Sequence, residues 1–186
     1  MKKTIQILIS ILVIAAAAGI AWFLIVGNNN RKEPEPPVFS GTGDQRYETY
    51  KADDFEVQYP YWPNVGEENL KGMPNVKLAV ANGNCNVIIS MTALPEGENF
   101  KDFTEKRAAE QVEKTKSTVI TKEIGDKTAY FVGEAKIGEI TAKSVSYGFL
   151  TSKGNSWGIA FAAPKDIFDT ACQPFIDRSV NSVAVK

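Results

Sequence analysis

Three sets of side chains in this 186-residue chain are of a type and spacing that could do chemistry. The first is the cysteine pair, Cys85 and Cys172. They stand far apart and form no C-x-x-C, which argues against a zinc or thioredoxin-type site. They can close a disulfide or remain two buried thiols that act as small hydrophobes. The second set is two runs of neighbouring acids, Asp53-Asp54 and Glu67-Glu68. Paired carboxylates can bind calcium or cleave glycosides, and loop acids can equally do no more than solvate a turn. The third is Tyr61 and Trp62 within "YPYWPNVGEEN". Aromatics in a proline-bracketed loop beside acids can grip a sugar ring or a partner's apolar groove. Trp62 can instead fold back as a lid on the protein's own core.

Other chemistry is poorly provided for. There is no histidine, which removes the commonest metal ligand and the commonest general base near neutral pH. Ser144 follows Lys143 and Ser152 precedes Lys153, but neighbours on a strand point to opposite faces, so neither pair makes a dyad. No G-x-S-x-G, P-loop or post-strand G-x-G-x-x-G occurs. No catalytic residue, cofactor site or metal ligand set is therefore assigned. The net charge is −1, without any Lys or Arg run longer than two, which gives no electrostatic ground for a nucleic-acid partner.

The elements that must position these residues read as strands from about residue 47. "FEVQYP" and "NVKLAV" alternate apolar and polar positions. "ANGN" then offers Asn82-Gly83 as a hairpin turn into "CNVIISMTAL", on which Cys85, Val87, Ile89 and Met91 share a face. The spacing predicts a helix over residues 99–116, capped by Asn99, with Phe100, Phe103, Ala108 and Val112 on a broad, weak apolar stripe. Asp102 with Lys106 and Glu110 with Lys114 are spaced as i,i+4 pairs on it. Four closely connected strands follow: "TVITKEI", "TAYFVGEAKI", "ITAKSVSYGFL" and "SWGIAFAA". Small residues on them (Gly133, Ala135, Gly148, Gly158, Ala160, Ala162) mark places where another element packs close to the sheet. A last helix buries Ile167, Phe168, Ala171, Cys172, Phe175, Ile176 and Val180, with Pro174 kinking or restarting it. "SVAV" ends the chain as a short strand. The order β-β-β-α-β-β-β-β-α gives an α+β fold, an antiparallel meander covered by helices as an α/β/α sandwich.

The N-terminus decides the compartment. Residues 5–26 are apolar except Gln6 and Ser10. At roughly 1.5 Å per residue they reach about 33 Å, enough to cross a hydrocarbon core. The alanines at 15–18 could serve as a cleavage site, but cutting there would leave "GIAWFLIV" exposed, and Trp22 and Phe23 suit a membrane interface. The expectation is a single-pass anchor over 1–27, a linker rich in Pro, Gly and Asn over 28–45, and a domain over 46–186 outside the cytoplasm. In that compartment oxidation is permitted, and Cys85 on the sheet face and Cys172 on the last helix can meet. The disulfide is the favoured reading of the pair.

"FEVQYPYWP", the helix "NFKDFTEKRAAEQVEKT", the long meander and the closing "FDTACQPFIDRSVNSVAV" resemble the PsbP-like family, whose fold is shared by a photosystem II extrinsic protein and a Ran-binding nuclear import factor. The resemblance covers about residues 46–186. It implies a non-enzymatic binding or assembly role and carries over no site residue. The expected function is thus a membrane-anchored extracytoplasmic binding or assembly module with an envelope protein as partner. A carbohydrate-active enzyme using carboxylates and a structural envelope protein are the alternatives.

Overall fold

The computed structural model describes residues 46–65, Leu70 and 73–186. The expected anchor, the linker and the Glu67-Glu68 pair lie outside the described residues. Among the described residues no helix is long and apolar enough to cross a membrane.

The architecture is α+β, with two antiparallel sheets rather than the single one expected. Strands β1 (Tyr47–Lys51) and β2 (Phe55–Pro60) form a hairpin, and β9 (Ala184–Val185) pairs with the free side of β2. The main sheet has six strands: β3 (Val76–Ala81), β4 (Asn86–Ala93), β5 (Thr118–Ile124), β6 (Thr128–Ile137), β7 (Ile140–Leu150) and β8 (Asn155–Pro164), in the order β3-β4-β8-β7-β6-β5. Helix α1 (Phe100–Thr115) carries the chain from β4 across to β5 at the far edge, and the meander then returns so that β8 pairs with β4. The expected final helix is two: α2 (Phe168–Ala171) and α3 (Gln173–Asn181), with Pro174 in the first turn of α3. A proline there removes an amide hydrogen that would have no helical partner anyway.

Period-two alternation divides the residues of the main sheet between two layers. Val87, Ile89, Val145, Ile159 and Phe161 join the main core with Phe55 and Val57 of β2 and Phe168, Phe175 and Ile176 of the C-terminal helices. Trp157 belongs to the same core and stacks on Phe55 at 4.8 Å between ring centroids. Each such fully buried side chain contributes about 1.5–3 kcal/mol. The Cys85–Cys172 disulfide lies inside this layer with a Cα–Cα distance of 5.4 Å, and there is no free cysteine. The other face carries Ile88, Ser90, Ser144, Ser146 and Ala160, and α1 lies over it.

The first hairpin turn is displaced by one residue from its expected place. Asn82 accepts at Oδ1 from the amides of Asn84 and Cys85, and its own amide donates to Cys85 O. The central residues are therefore Gly83 and Asn84, with Gly83 at φ +87°. Glycine first in the turn is the type II′ pattern, whose twist suits a hairpin.

Candidate functional site

Face by face, the main sheet is asymmetric. Its core side carries large apolar residues, while most residues on its α1 side are small. Across β4, β8, β7 and β6 one row reads Ser90, Gly158, Gly148, Ala129, and the next reads Ile88, Ala160, Ser146, Phe131. Apart from Ile88 and Phe131, these side chains are too small to fill the space under a helix. Helix α1 is therefore held off the sheet mainly by Phe100 and Ala108, which pack on Ala129 and Phe131. Two cavities remain beneath and beside it, of about 70 Å³ and 40 Å³. Phe131, Ser144 and Ser146 border both, so the two adjoin as neighbouring hollows of the groove between α1 and the sheet. The small residues singled out in the sequence do lie where another element approaches the sheet, and the approach leaves a gap.

Two polar residues of α1 border this groove, one helical turn apart. Arg107 borders the larger cavity, where it is the sole Lys, Arg, Asp or Glu among the lining residues. One of its five N–H donors goes to Thr92 Oγ1 at 3.2 Å, and its guanidinium lies 5.2 Å from the Phe103 ring centre. Among the described residues no carboxylate pairs with it within 4.0 Å. Burial lowers its pKa, which Glu110 partly offsets. Arg107 still stays charged at any physiological pH. Gln111 borders the smaller cavity and is only 3% exposed. Neither atom of its side-chain amide has a hydrogen-bond partner among the described residues. Leaving a buried polar group unpaired costs about 1–3 kcal/mol, so a native fold keeps one for a reason.

Sequence reasoning missed both residues. The stripe expected on α1 ended in Val112, whereas the buried residues are Phe100, Phe103, Ala108 and Gln111, and Val112 is half-buried. The signal was present in the weakness of the stripe. Phe103, Arg107 and Gln111 fall at successive i,i+4 positions, so two polar side chains occupy the helix face that should be apolar. The expected i,i+4 ion pairs do not form either. Lys106 lies 3.8 Å from Glu98, and Asp102 accepts from Asn99 Nδ2 at 2.6 Å.

The residues proposed from sequence lie elsewhere. Tyr61 is 57% exposed. Beside it, Trp62 packs edge-on against Phe175 at 4.7 Å, at the rim of the main core. Asp53 and Asp54 diverge. Asp53 faces solvent and lies 3.7 Å from Lys153 Nζ. Asp54 is buried and accepts from Thr151 Oγ1 and Asn155 Nδ2, both at 2.7 Å, and from Trp157 Nε1 at 3.1 Å. Burial alone would raise its pKa, but these bonds, with one from its own backbone, bring it below the ordinary value. Asp54 is a structural anion that ties the β1–β2 turn to the β7–β8 turn.

No family model matches the chain, and no curated protein matches it. Among solved structures the chain is similar to the Ran-binding protein Mog1p of Saccharomyces cerevisiae, with TM-score 0.52 and 9% identity over 76% of this chain and 96% of that one. It is also similar to LpqN of Mycobacterium tuberculosis, involved in cell envelope biogenesis, with TM-score 0.45 and 7% identity over 80% of this chain and 87% of that one. The PsbP-like fold implied by the sequence is the fold the chain adopts. At such identity the likeness speaks for the fold alone.

Proposed function

We propose that this chain is a membrane-anchored, extracytoplasmic and non-enzymatic binding or assembly module whose working surface is the groove under α1. The observation that carries the binding role is Gln111, a buried amide that borders a cavity with no protein partner. Binding sites keep a few convergent polar groups in an otherwise apolar hollow, and this groove has that composition. The compartment rests on separate support. A buried disulfide suits an oxidising environment, and residues 5–26 are long and apolar enough for a span. An envelope protein is the expected partner. The carboxylate-enzyme alternative draws no support from Asp53 and Asp54, since one is exposed and the other has its oxygens occupied.

A photo-crosslinking residue placed at Val112, on the groove rim, tests the role in intact cells. A discrete adduct with one envelope component is expected, and it should weaken when Ser146→Leu fills the groove. Adducts that are diffuse, or indifferent to that change, would remove the groove from the function. Protease added to cells with a permeabilised outer surface tests the compartment. The domain should be digested without lysis, and protection until lysis would place it in the cytoplasm.

A further inference from the structure

The two polar groups in the groove differ in kind, and together they describe a ligand. Arg107 brings a positive charge to a cavity whose other lining residues are mostly hydroxyl-bearing, small or aromatic, with no acid to neutralise it. The fork of a guanidinium matches a planar carboxylate in geometry as well as charge. Gln111 brings a donor and an acceptor, both unpaired and both buried. The complement of a primary amide is a group that accepts and donates side by side, and the N–H and C=O of one residue in an extended chain, which point the same way, supply both. Residues four apart on a helix have Cβ atoms roughly 5–6 Å apart, about the spacing of a C-terminal carboxylate and the Cα of the residue before it along an extended chain. The floor between them, Ser144 and Ser146, is short and hydroxylated, so a backbone can lie close to it without steric conflict.

We infer that the groove under α1 binds a peptide carboxylate, its carboxylate on Arg107 and the N–H and C=O of the residue before it on Gln111. The inference rests on the reading of this groove as the working surface and adds the class of ligand. A free phosphate would satisfy Arg107 but leave Gln111 unpaired, so the two chemistries are separable.

The test uses the full chain in detergent micelles, labelled with ¹⁵N at glutamine side chains. The Gln111 signal is assigned by its loss in Gln111→Leu. N-acetylglycylglycine, which offers backbone groups and no side chains, should shift that signal saturably. Capping its carboxylate as an amide should weaken binding by about tenfold or more, as should Arg107→Lys, which keeps the charge but loses the fork. Ser146→Leu should abolish the shift. Unchanged Gln58 and Gln173 signals in the free variants, both away from the groove, show that they are folded. The inference is overturned if the signal stays still, if acid and capped forms bind alike, or if inorganic phosphate reproduces the whole shift. Should the Val112 crosslink persist in cells while these probes leave Gln111 unmoved, the module stands and the ligand class falls.

Discussion

Two buried polar residues behave oppositely, and the difference predicts opposite mutational signs. Asp54 is satisfied by three side chains. Asp54→Ala would leave Thr151, Asn155 and Trp157 without their acceptor, at a cost of about 3 kcal/mol in urea unfolding. Because its folded pKa lies below the unfolded value, its contribution is complete above the unfolded pKa. That contribution fades as pH falls through the folded one. Melting temperature should therefore drop on acidification below about pH 4, and Asp54→Asn should flatten that part of the curve. Gln111 is unsatisfied. Replacing it with leucine, of similar volume, should stabilise the free protein by about 1 kcal/mol or more while removing ligand binding. A loss of stability instead would mean that the amide is paired within the fold. Asp54 could be seen in the sequence as one of two adjacent acids, but not which of them turns inward, because that depends on donors nearly a hundred residues away.

At the scale of elements, α1 sets the groove, and its ends fix where it lies. Asn99 accepts at Oδ1 from the Asp102 amide, as its sequence position suggested. Asn99→Ala should cost about 1 kcal/mol and loosen the Phe100 end of the groove. At the other end Lys116 sits at φ +53°, a left-handed conformation that a residue with a Cβ adopts at a cost. Lys116→Gly should therefore stabilise by about 0.5 kcal/mol, read as a higher denaturant midpoint with an unchanged slope. The strands of the main sheet were legible because alternation is strong where one face is buried. The first strand was not, since Tyr47 and Tyr50 are half-buried three apart and follow no period of two. The groove escaped notice for a related reason: small residues announce close approach, and only coordinates show how far a helix held up by phenylalanine stands away.

For the molecule as a whole, two ties hold the small sheet and the C-terminal helices to the main sheet. Asp54 anchors one end through Thr151, and its carbonyl accepts from the Lys186 amide. The Cys85–Cys172 bond joins the start of β4 to the α2–α3 junction across 87 residues of sequence. In the chain-entropy account a loop of that length contributes about 4–5 kcal/mol at best. Replacing both cysteines with alanine should lower stability by up to that amount, with the double variant little worse than either single one. A change under about 1 kcal/mol would show that the packed layer around the bond suffices. The order of the main-sheet strands and the meeting of the two cysteines were legible in the pattern of faces. The division into two sheets was not, because nothing local in "FEVQYP" says whether its neighbour is β1 or a strand of the meander.

The separation of the two sulfurs has a bearing on how the protein matures. With only two cysteines, a single chain admits one pairing, so an oxidant suffices and no shuffling catalyst is required. The earlier thiol must nevertheless wait for its mate. At roughly 5–20 residues per second, the ribosome needs about 4–17 s to add the intervening residues. Throughout that interval Cys85 is open to capture by any passing thiol or by another copy, which makes mixed dimers the characteristic by-product of hurried oxidation.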